Sequence, residues 1–528
     1  MKRSARALIL ALVISIVLPF ALPPRPALAA DEPRLILTPK PGPEPRINGS
    51  RVFGVRPGSP FLFTIPATGE RPMTFGVEGL PDGLMLDTAT GRITGALPVR
   101  GTFDVTFTAA NRLGAVSRPF KIVCGDTLAL TPHMGWNSWY VWENRVTDEI
   151  MRRAADAMVS TGMIDHGYQY VNIDDCWSVR PGSDDPSLRG EPRDSRGMIN
   201  ANGRFPDMKA MTDYIHAKGL KAGIYTSPGP TTCAGYTAAW QHEELDIRRF
   251  VEWGFDFLKY DWCSYGGIAK DEKDRTELQK PYRLISSIIA EQPRDIVLNL
   301  CQYGMGNVWE WGREVGGNSW RTAGDLGHDV VGNLFRDGFD VYSANELHRY
   351  GGPGGWNDPD YLLIGILSSV FVDDKEGGNE ASPLSPNEQY THVSLWSLVA
   401  APLIFSGDIT RLDDFTLGLL TNDDIIEVDQ DPLGRPGRRA AKTGDLEVWV
   451  RDLEDGSKAV GLFNRGNALA EITARWSDLG VSGPQKVRDL WRRKDLGVFD
   501  GSLTAYVARH GVVMVRLWPE GQRTAGAR

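Results

Sequence analysis

The central part of the chain, residues 128–434, alternates short apolar segments with segments of helical periodicity. Eight apolar segments have the length of buried strands, and helical patterns such as residues 148–160, 208–218 and 278–290 lie between them. Eight strand signals separated by helices over about 300 residues are typical of a (β/α)8 barrel. A doubly wound sheet is the alternative for this alternation, but the segment lacks the glycine-rich phosphate-binding turn of that fold.

One of these predicted strands, residues 257–261, ends in a carboxylate. Apolar and aromatic residues lead to Lys259, Tyr260 and Asp261, and the chain then becomes loop-like through Ser-Tyr-Gly-Gly at residues 264–267. Burying a carboxylate is costly unless partners hold it, and the carboxyl ends of barrel strands are where catalytic groups lie. Asp261 is therefore a candidate catalytic residue.

The two flanking segments show the short strands and frequent turns of all-β domains. In residues 33–125, turn signals recur every eight to twelve residues or so, about the spacing of a β-sandwich. Strand patterns return in residues 435–519, for example at residues 446–450, 458–463 and 512–517, and predict a C-terminal antiparallel β domain, a second β-sandwich. The predicted protein is thus multidomain, with a barrel flanked by two β domains.

Residues 33–125 also resemble the immunoglobulin-like modules of secreted bacterial proteins. They share with those modules a Gly-Leu-Pro turn at Gly79, the string Leu86-Asp-Thr-Ala-Thr-Gly91, and a final Val-Thr strand followed by Ala-Ala-Asn111. The resemblance implies an Ig-like β-sandwich whose role is spacing or adhesion.

The N-terminus has the three-part pattern of a secretory signal peptide. Basic residues within the first six positions precede an apolar run, residues 7–22, and Ala-Leu-Ala stands at residues 27–29. An uncleaved membrane anchor is the alternative, but the run is shorter than the roughly 20 residues that span a bilayer. We expect residues 1–29 to be removed and the mature protein to be secreted or periplasmic, without membrane association.

The charge of the chain argues against nucleic acid and anionic membranes as partners. The 528 residues have a formal net charge of −9, which is spread along the chain, and 41% of the residues are hydrophobic, as in globular proteins. Nucleic acids and anionic membranes both require a basic face, which this sequence does not predict.

The five cysteines, at positions 124, 176, 233, 263 and 301, leave at least one thiol free because their number is odd. In an exported chain some of the others are expected to form disulfides. No CxxC motif and no Cys/His cluster with the spacing of metal ligands occurs, so the sequence predicts neither a metal centre nor a cofactor.

The residues at the predicted strand ends are mainly aromatic residues, acids and amides. A phosphate site would require basic residues and glycines, whereas a sugar requires apolar faces for stacking and planar polar groups for its hydroxyls, so we expect a carbohydrate substrate. The strand-end residues are Trp136, Trp139, Asp174, Asp175, Trp177, Tyr225, Lys259, Asp261, Gln302, Tyr303, Trp320, Arg321, Asp325, Trp356, Asp358 and Asp360.

Cleavage of a glycosidic bond requires two carboxyl groups. Asp261 supplies one, and the strongest candidate for the other is Asp325, in the string Ser-Trp-Arg-Thr-Ala-Gly-Asp, where Arg321 can hold a carboxylate or a hydroxyl. For a single aspartate, a structural salt bridge is the simpler interpretation. Matching polar groups at eight strand ends favour catalysis instead.

Nine sequence strings of the central and C-terminal segments occur in the order found in one enzyme family. Residues 131–518 resemble glycoside hydrolase family 27, the retaining α-galactosidases, in which these strings recur together. The strings are Met134-Gly-Trp-Asn-Ser-Trp139, Ile173-Asp-Asp-Cys-Trp177, Arg204-Phe-Pro206, Gly219-Leu-Lys-Ala-Gly-Ile-Tyr225, Thr232-Cys-Ala-Gly235, Leu258-Lys-Tyr-Asp-Trp-Cys263, Pro353-Gly-Gly-Trp-Asn-Asp-Pro-Asp360, Ala401-Pro-Leu403 and Asp429-Gln-Asp-Pro-Leu-Gly434.

The resemblance implies the catalytic roles and one disulfide. Asp261 corresponds to the nucleophile of the family and Asp325 to its general acid/base. The family's disulfide between the ends of the third and fourth strands corresponds to Cys233 and Cys263. The implied enzyme is an exo-acting α-galactosidase.

The resemblance also implies which residues bind the sugar. Asp174 and Asp175 would bind the 4- and 6-hydroxyls and so select an axial 4-hydroxyl. Lys259 would reach the 3- and 4-hydroxyls, and because it lies two residues before Asp261 it points to the same side of the strand. There its charge would help to keep Asp261 ionised.

Four further positions complete the implied sugar site. Trp139 would stack under the apolar edge of the sugar, and Tyr225 would line the pocket. Arg321 would reach the 2-hydroxyl, and Asp360 would lie near the acid/base.

Two departures from the family pattern affect these expectations. After the fifth strand, where many α-galactosidases have Cys-Glu-Trp, this chain has Cys301-Gln302-Tyr303, so that an amide replaces the carboxylate near the 2-hydroxyl. The partner positions of two other family disulfides hold Asn144 and Gly317, so we expect Cys176 and Cys301 to be free.

Four alternatives to an α-galactosidase remain open at this stage. Within the fold, relatives act on β-L-arabinopyranosides, α-N-acetylgalactosaminides or isomaltose-type glucans, and the intact Asp174–Asp175 pair favours galactose over the pentose and the glucan. A site for 2-acetamido sugars would have small residues where Gln302 stands. A non-catalytic carbohydrate-binding protein is disfavoured because both catalytic acids are present.

Overall fold

The computed structural model describes residues 32–368 and 378–521. The predicted signal peptide, residues 1–29, lies outside them. Within the described residues, no helix combines the length and the apolar character needed to cross a bilayer.

The N-terminal domain is an Ig-like sandwich, as predicted. A four-stranded sheet in the order β2-β9-β8-β5 packs on a three-stranded sheet in the order β3-β7-β6, and β1 pairs with β4. Phe63 of one sheet contacts Phe107 and Phe120 of the other, with ring centroids 5.9 and 5.0 Å away. The strands are β1 Arg46–Ile47, β2 Val52–Val55, β3 Pro60–Thr64, β4 Ala67–Thr68, β5 Thr74–Glu78, β6 Leu84–Asp87, β7 Arg92–Ala96, β8 Gly101–Asn111 and β9 Gly114–Cys124.

The central domain contains the predicted barrel of eight parallel strands. Their order is β16-β15-β14-β13-β12-β11-β10-β19. The ring closes because Leu362, just after β16, pairs in parallel with Phe405 of β19. The strands of this domain are β10 Met134–Asn137, β11 Tyr170–Asn172, β12 Lys221–Thr226, β13 Phe257–Asp261, β14 Val297–Cys301, β15 Ser319–Arg321, β16 Trp356–Asp358, the added hairpin β17 Ile366–Ser368 and β18 Asn379–Ala381, and β19 Leu403–Phe405.

Helices connect the barrel strands, and polar side chains fix where several of them begin. Thr147 caps the predicted helix at residues 148–160, and Asp274 caps the fifth helix, which begins three residues before the predicted residue 278. A π-helical section, Leu334–Val341, links α7 to α8. The helices are α1 Trp139–Trp142, α2 Asp148–Ser160, α3 Met208–Ala217, α4 Glu243–Trp253, α5 Arg275–Ala290, α6 Val308–Trp311, α7 Val330–Asn333, α8 Tyr342–Ala344, α9 Pro386–Leu398, α10 Asp414–Leu420 and α11 Asp423–Asp429.

The C-terminal domain is antiparallel, as predicted. It has a six-stranded sheet in the order β20-β21-β22-β27-β24-β25 and the pair β23-β26. Arg451 attaches it to the barrel by donating to the carbonyl oxygens of Ser397 and Asp429. Its elements are β20 Arg438–Thr443, β21 Leu446–Asp452, β22 Lys458–Asn464, β23 Ala470–Arg475, α12 Trp476–Leu479, β24 Gln485–Asp489, β25 Lys494–Phe499, β26 Ser502–Val507 and β27 Val512–Pro519.

The Ig-like domain packs against the amino ends of the barrel strands. Thr64 donates to the carbonyl oxygen of Gly219, shortly before β12, at 2.9 Å. Arg56 pairs with Asp295, shortly before β14, at 2.6 Å and also donates to the carbonyl oxygen of Ala290 at the end of α5. The carboxyl ends of the strands, at the opposite face, are left clear of this domain.

Candidate active site

A cavity lies among the ends of seven neighbouring barrel strands, β10 to β16, and the loops that follow them. Parallel strands bring their carboxyl ends to one face, so that residues distant in sequence meet there. Nine of the ten predicted catalytic and sugar-binding residues line this cavity, namely Trp139, Asp174, Asp175, Tyr225, Lys259, Asp261, Arg321, Asp325 and Asp360.

Asp261, the predicted nucleophile, is the last residue of β13 and is buried, with 4% of its surface exposed. Its Oδ1 accepts hydrogen bonds from the backbone N–H of Trp262 at 2.8 Å and from the hydroxyl of Tyr303 at 2.5 Å. Burial raises the pKa of Asp261, against the opposing effects of the Lys259 charge and the Tyr303 hydrogen bond. The carboxylate is thus fixed in one orientation inside the cavity.

Lys259 and Asp174 form a buried ion pair near Asp261. Lys259 Nζ lies 2.9 Å from Asp174 Oδ2, which also accepts from Asn137 Nδ2 at 2.9 Å. The ammonium group lies 5.0 Å from the ring centroid of Tyr225. Although burial opposes it, the Asp174 carboxylate raises the pKa of Lys259, so the ammonium stays charged.

Asp175 is held by the loop that follows β12. Its Oδ2 accepts from the backbone N–H of Ala234 at 2.9 Å, and its Oδ1 accepts from that of Cys176 at 2.6 Å. Burial raises the pKa of Asp175 to about 6, opposed by hydrogen bonds that include one from Thr232. Near neutral pH the ionised form therefore predominates, and Asp174 and Asp175 present adjacent acceptors to the cavity.

The predicted disulfide between Cys233 and Cys263 is confirmed. It joins the loop after β12 to the turn after β13, so that it lies beside Asp261. The hydroxyl of Tyr225 is 3.4 Å from Cys263 Sγ. The cysteines outside the disulfide, all buried, are Cys124, Cys176 and Cys301.

Asp325, the predicted acid/base, follows β15 and is more exposed than Asp261, with 36% of its side chain accessible. Arg321 Nη2 lies 3.1 Å from Asp325 Oδ1 and 3.1 Å from Asp360 Oδ2, and so bridges the two carboxylates. Asp360 also accepts from the backbone N–H of Leu326 at 2.9 Å, which anchors the segment next to Asp325. Burial raises the pKa of Asp360 to about 6, and the Arg321 charge opposes that shift.

Gln302 is the one predicted site residue that does not line the cavity. Its side chain is completely buried, and within the described part of the chain neither amide atom has a hydrogen-bond partner. An unpaired buried amide costs free energy, and Arg321 Nε is unpaired as well. Contact of Gln302 with a sugar 2-hydroxyl stays a prediction.

Three tyrosines line the cavity that were given no role from the sequence: Tyr140, Tyr303 and Tyr361. The hydroxyl of Tyr140 donates to Asp360 at 2.7 Å, and that of Tyr361 donates to Asp174 at 3.3 Å. All three directly follow a predicted site residue, Trp139, Gln302 or Asp360, which was an available signal. The position of the Tyr303 hydroxyl depends on the conformation of the turn after β14, which the sequence pattern does not indicate.

One group of potential metal ligands was found among the described residues: Cys233, Asp261 and Cys263. Because the two cysteines are bonded to each other, the group has no thiolate to offer a metal ion. The residues present there fit a carboxylate nucleophile beside a disulfide better than a metal centre.

The fold and this arrangement of acids can be compared with known proteins. The model of the family described as alpha galactosidase A matches residues 131–431, and that of the alpha galactosidase C-terminal beta sandwich domain matches residues 443–517. The model of an Ig domain family matches residues 44–125. Alpha-galactosidase 2 of Arabidopsis thaliana is 36% identical over 422 residues, which are 78% of this chain and 96% of the relative. The chain belongs to the alpha-galactosidase A family.

Two solved structures extend the comparison. Alpha-galactosidase I from Mortierella vinacea has a TM-score of 0.64 and 29% identity, with 75% of this chain and 98% of that chain covered. A GH27 β-L-arabinopyranosidase from Geobacillus stearothermophilus has a TM-score of 0.65 and 26% identity, with the same coverage. The enzyme is thus a glycoside hydrolase of the α-galactosidase type, and its substrate is a carbohydrate.

Proposed function

We propose that the enzyme removes single terminal α-linked galactose units from oligosaccharides or glycoconjugates by double displacement with retention of configuration. The proposal depends most on one observation: two carboxylates in unlike environments, Asp261 buried and Asp325 half-exposed, line the same cavity. A retaining glycosidase requires such a pair, one as nucleophile and one as acid and then base.

In the first displacement, a carboxylate oxygen of Asp261 bonds to the anomeric carbon while the bond to the leaving oxygen breaks. The electron pair moves to that oxygen, which takes the proton of Asp325. In the second displacement, the Asp325 carboxylate takes a proton from water, the water oxygen bonds to the anomeric carbon, and the pair of the ester bond returns to Asp261.

The polarity of the cavity supports action on a sugar such as galactose. Asp174, Asp175 and Lys259 line the cavity and supply carboxylate acceptors and an ammonium donor. Such groups suit a cluster of sugar hydroxyls.

Export is part of the proposal. The signal-like N-terminus and the Cys233–Cys263 disulfide support an enzyme that works in an oxidising compartment, as a secreted or periplasmic protein. Mass spectrometry of the protein recovered from culture medium or periplasm tests this, and a mature chain that still begins at Met1 would contradict it.

Stereochemistry and specificity can be tested together. Proton NMR during the first minutes of hydrolysis should show the α-anomer of galactose. Double displacement also requires the carboxyl groups of Asp261 and Asp325 to be about 5 to 5.5 Å apart. Initial β-galactose would mean inversion. Rates on 4-nitrophenyl α-galactoside, β-L-arabinopyranoside and α-N-acetylgalactosaminide, compared side by side, should be highest for the galactoside.

A β-L-arabinopyranosidase is the second candidate, because the Geobacillus stearothermophilus structure is similar over most of the chain. The pentose lacks the 6-hydroxymethyl group, so its preferential hydrolysis would show that Asp174 and Asp175 do not select that group. Comparable turnover of the acetamido sugar would contradict the role predicted for Gln302.

A further inference from the structure

The two oxygens of the Asp261 carboxylate have different surroundings. Oδ1 accepts both protein hydrogen bonds, from the N–H of Trp262 at 2.8 Å and from the hydroxyl of Tyr303 at 2.5 Å. Among the described residues, no donor forms a hydrogen bond to Oδ2. The lone pairs of Oδ2 are therefore available inside the cavity, while those of Oδ1 are engaged.

A strained turn brings the Tyr303 hydroxyl to this position. Tyr303 has φ +64°, in the left-handed region that non-glycine residues rarely adopt, and such strain recurs at functional sites. Gly304 follows with φ +85°, and a Cβ there would lie 2.4 Å from the carbonyl oxygen of Thr322. The turn is thus pressed between the end of β14, where Cys301 pairs with Asp261, and the segment that leads to Asp325.

We propose that Tyr303 is a positioning residue that directs Asp261 Oδ2 to the anomeric carbon and stabilises the Asp261 carboxylate as it departs in the second displacement. This inference rests on the double displacement proposed above. When Oδ2 bonds to the sugar, Oδ1 becomes the carbonyl oxygen of the ester and keeps its two donors. When the ester bond breaks, the returning negative charge is shared between Oδ2 and Oδ1, and the two donors stabilise the charge on Oδ1.

The hydroxyl should therefore affect the two displacements unequally. A donor to a carboxylate stabilises the anion more than the ester, because hydrogen bonds to charged groups are the stronger ones. The free enzyme and the departing carboxylate both carry that charge, whereas the ester does not. The donor thus accelerates the second displacement and gives the first one only orientation.

Tyr303→Phe removes the hydroxyl and keeps the ring. With 2,4-dinitrophenyl α-galactoside, whose leaving group makes the second displacement rate-limiting, kcat should fall about 10- to 100-fold, the loss expected for a hydrogen bond to a charged group. KM should fall in parallel because the ester accumulates, and kcat/KM should stay within about 3-fold of the parent. The burst of dinitrophenolate should stay close to one per enzyme, as in the parent, and the steady-state rate after the burst should fall.

Tyr282→Phe is the matched control. The Tyr282 hydroxyl is buried near β13, where its ring packs 5.8 Å from that of Tyr260, and it has no hydrogen-bond partner within the described residues. It does not line the cavity. Deletion of this hydroxyl should leave kcat and KM as in the parent, whereas the Tyr303 variant should have both lowered.

The acidic limb of the pH profile of kcat/KM distinguishes the proposed role from a purely structural one, because a loss of packing alone would not shift it. Because the Tyr303 hydrogen bond lowers the pKa of Asp261, its loss should shift the acidic limb of kcat/KM to higher pH. An unshifted limb together with unchanged kcat would overturn the inference. So would an equal loss of kcat and kcat/KM with constant KM, because the hydroxyl would then assist the first displacement.

A second measurement requires no variant. A 5-fluorinated galactosyl fluoride should trap the ester on the parent enzyme, and a crystal structure should show the bond at Oδ2, with the Tyr303 hydroxyl still within hydrogen-bond distance of Oδ1. A bond at Oδ1 would refute the assignment. Failure to trap any ester, with β-galactose as first product, would instead refute the double displacement itself.

Discussion

The strand that carries the proposed nucleophile has an aspartate near each end, and the two carboxylates have opposite hydrogen-bonding patterns. Asp256, just before β13, accepts from Arg294 at one oxygen, at 2.5 Å, and from His216 and the N–H of Ala222 at the other, at 2.8 and 3.0 Å. Both of its oxygens are engaged. Asp261, at the other end, has both donors on one oxygen.

The pKa values of Asp256 and Asp261 are shifted in opposite directions. Although burial raises it, the pKa of Asp256 lies below the usual value because His216 and Arg294 are close. For Asp261 burial prevails over Lys259 and Tyr303, and its pKa is raised. One end of the strand thus uses charge for stability, and the other keeps an incompletely satisfied carboxylate for chemistry.

The largest expected effect is that of Asp261→Asn. Because the ester with the sugar requires this carboxylate, turnover should fall by at least about 10⁴-fold, and added azide should not restore the parental rate. The melting temperature should stay within about 5 °C of the parent, since the amide can still accept both hydrogen bonds. Turnover comparable to the parent, in protein free of wild-type contamination, would remove Asp261 from the nucleophile role.

Asp325→Ala should have a smaller effect that depends on the leaving group. Natural galactosides, which need protonation of the leaving oxygen, should lose about 10²- to 10⁴-fold in kcat/KM. Dinitrophenyl galactoside should lose little in the first displacement, and azide should restore its turnover by replacing the base-activated water. Equal losses on both substrates without azide rescue would indicate that another acid serves, and Asp360, bridged to Asp325 by Arg321, would be the next to test.

Much of the barrel and of the site around Asp261 could be predicted from sequence because it depends on strand order. The apolar run that ends in Asp261 and the helical periods between the strands predict the barrel, and a barrel places its strand ends together. Lys259 and Asp261 lie on the same side of one strand for the same reason. The disulfide followed from family strings rather than from geometry.

The remaining features of the site could be seen only in the structure, because they depend on loop conformation. The amide of Gln302 is predicted to contact a sugar hydroxyl; in the structure its side chain is buried, and the next residue, Tyr303, lines the cavity. Residue propensities do not predict the positive φ of Tyr303, because non-glycine residues rarely adopt the left-handed backbone region. Which carboxylate oxygen is engaged depends on atomic positions that a residue pattern does not contain.

The smallest expected effect on activity tests the other end of the strand. Asp256→Asn removes a buried charge from Arg294 and His216, which should lower the free energy of unfolding by roughly 3 to 5 kcal/mol, the usual loss when one partner of a buried ion pair is removed. Because Asp256 has a lowered folded-state pKa, its contribution is present above the unfolded value of about 4 and is lost as pH falls through the folded value. The difference in unfolding free energy between parent and variant, measured by urea denaturation, should therefore shrink toward pH 3. The kcat near neutral pH should stay within about 3-fold of the parent, because Asp256 does not line the cavity. A large loss of kcat without loss of stability would mean that the two ends of β13 are not separated in function as their hydrogen bonds indicate.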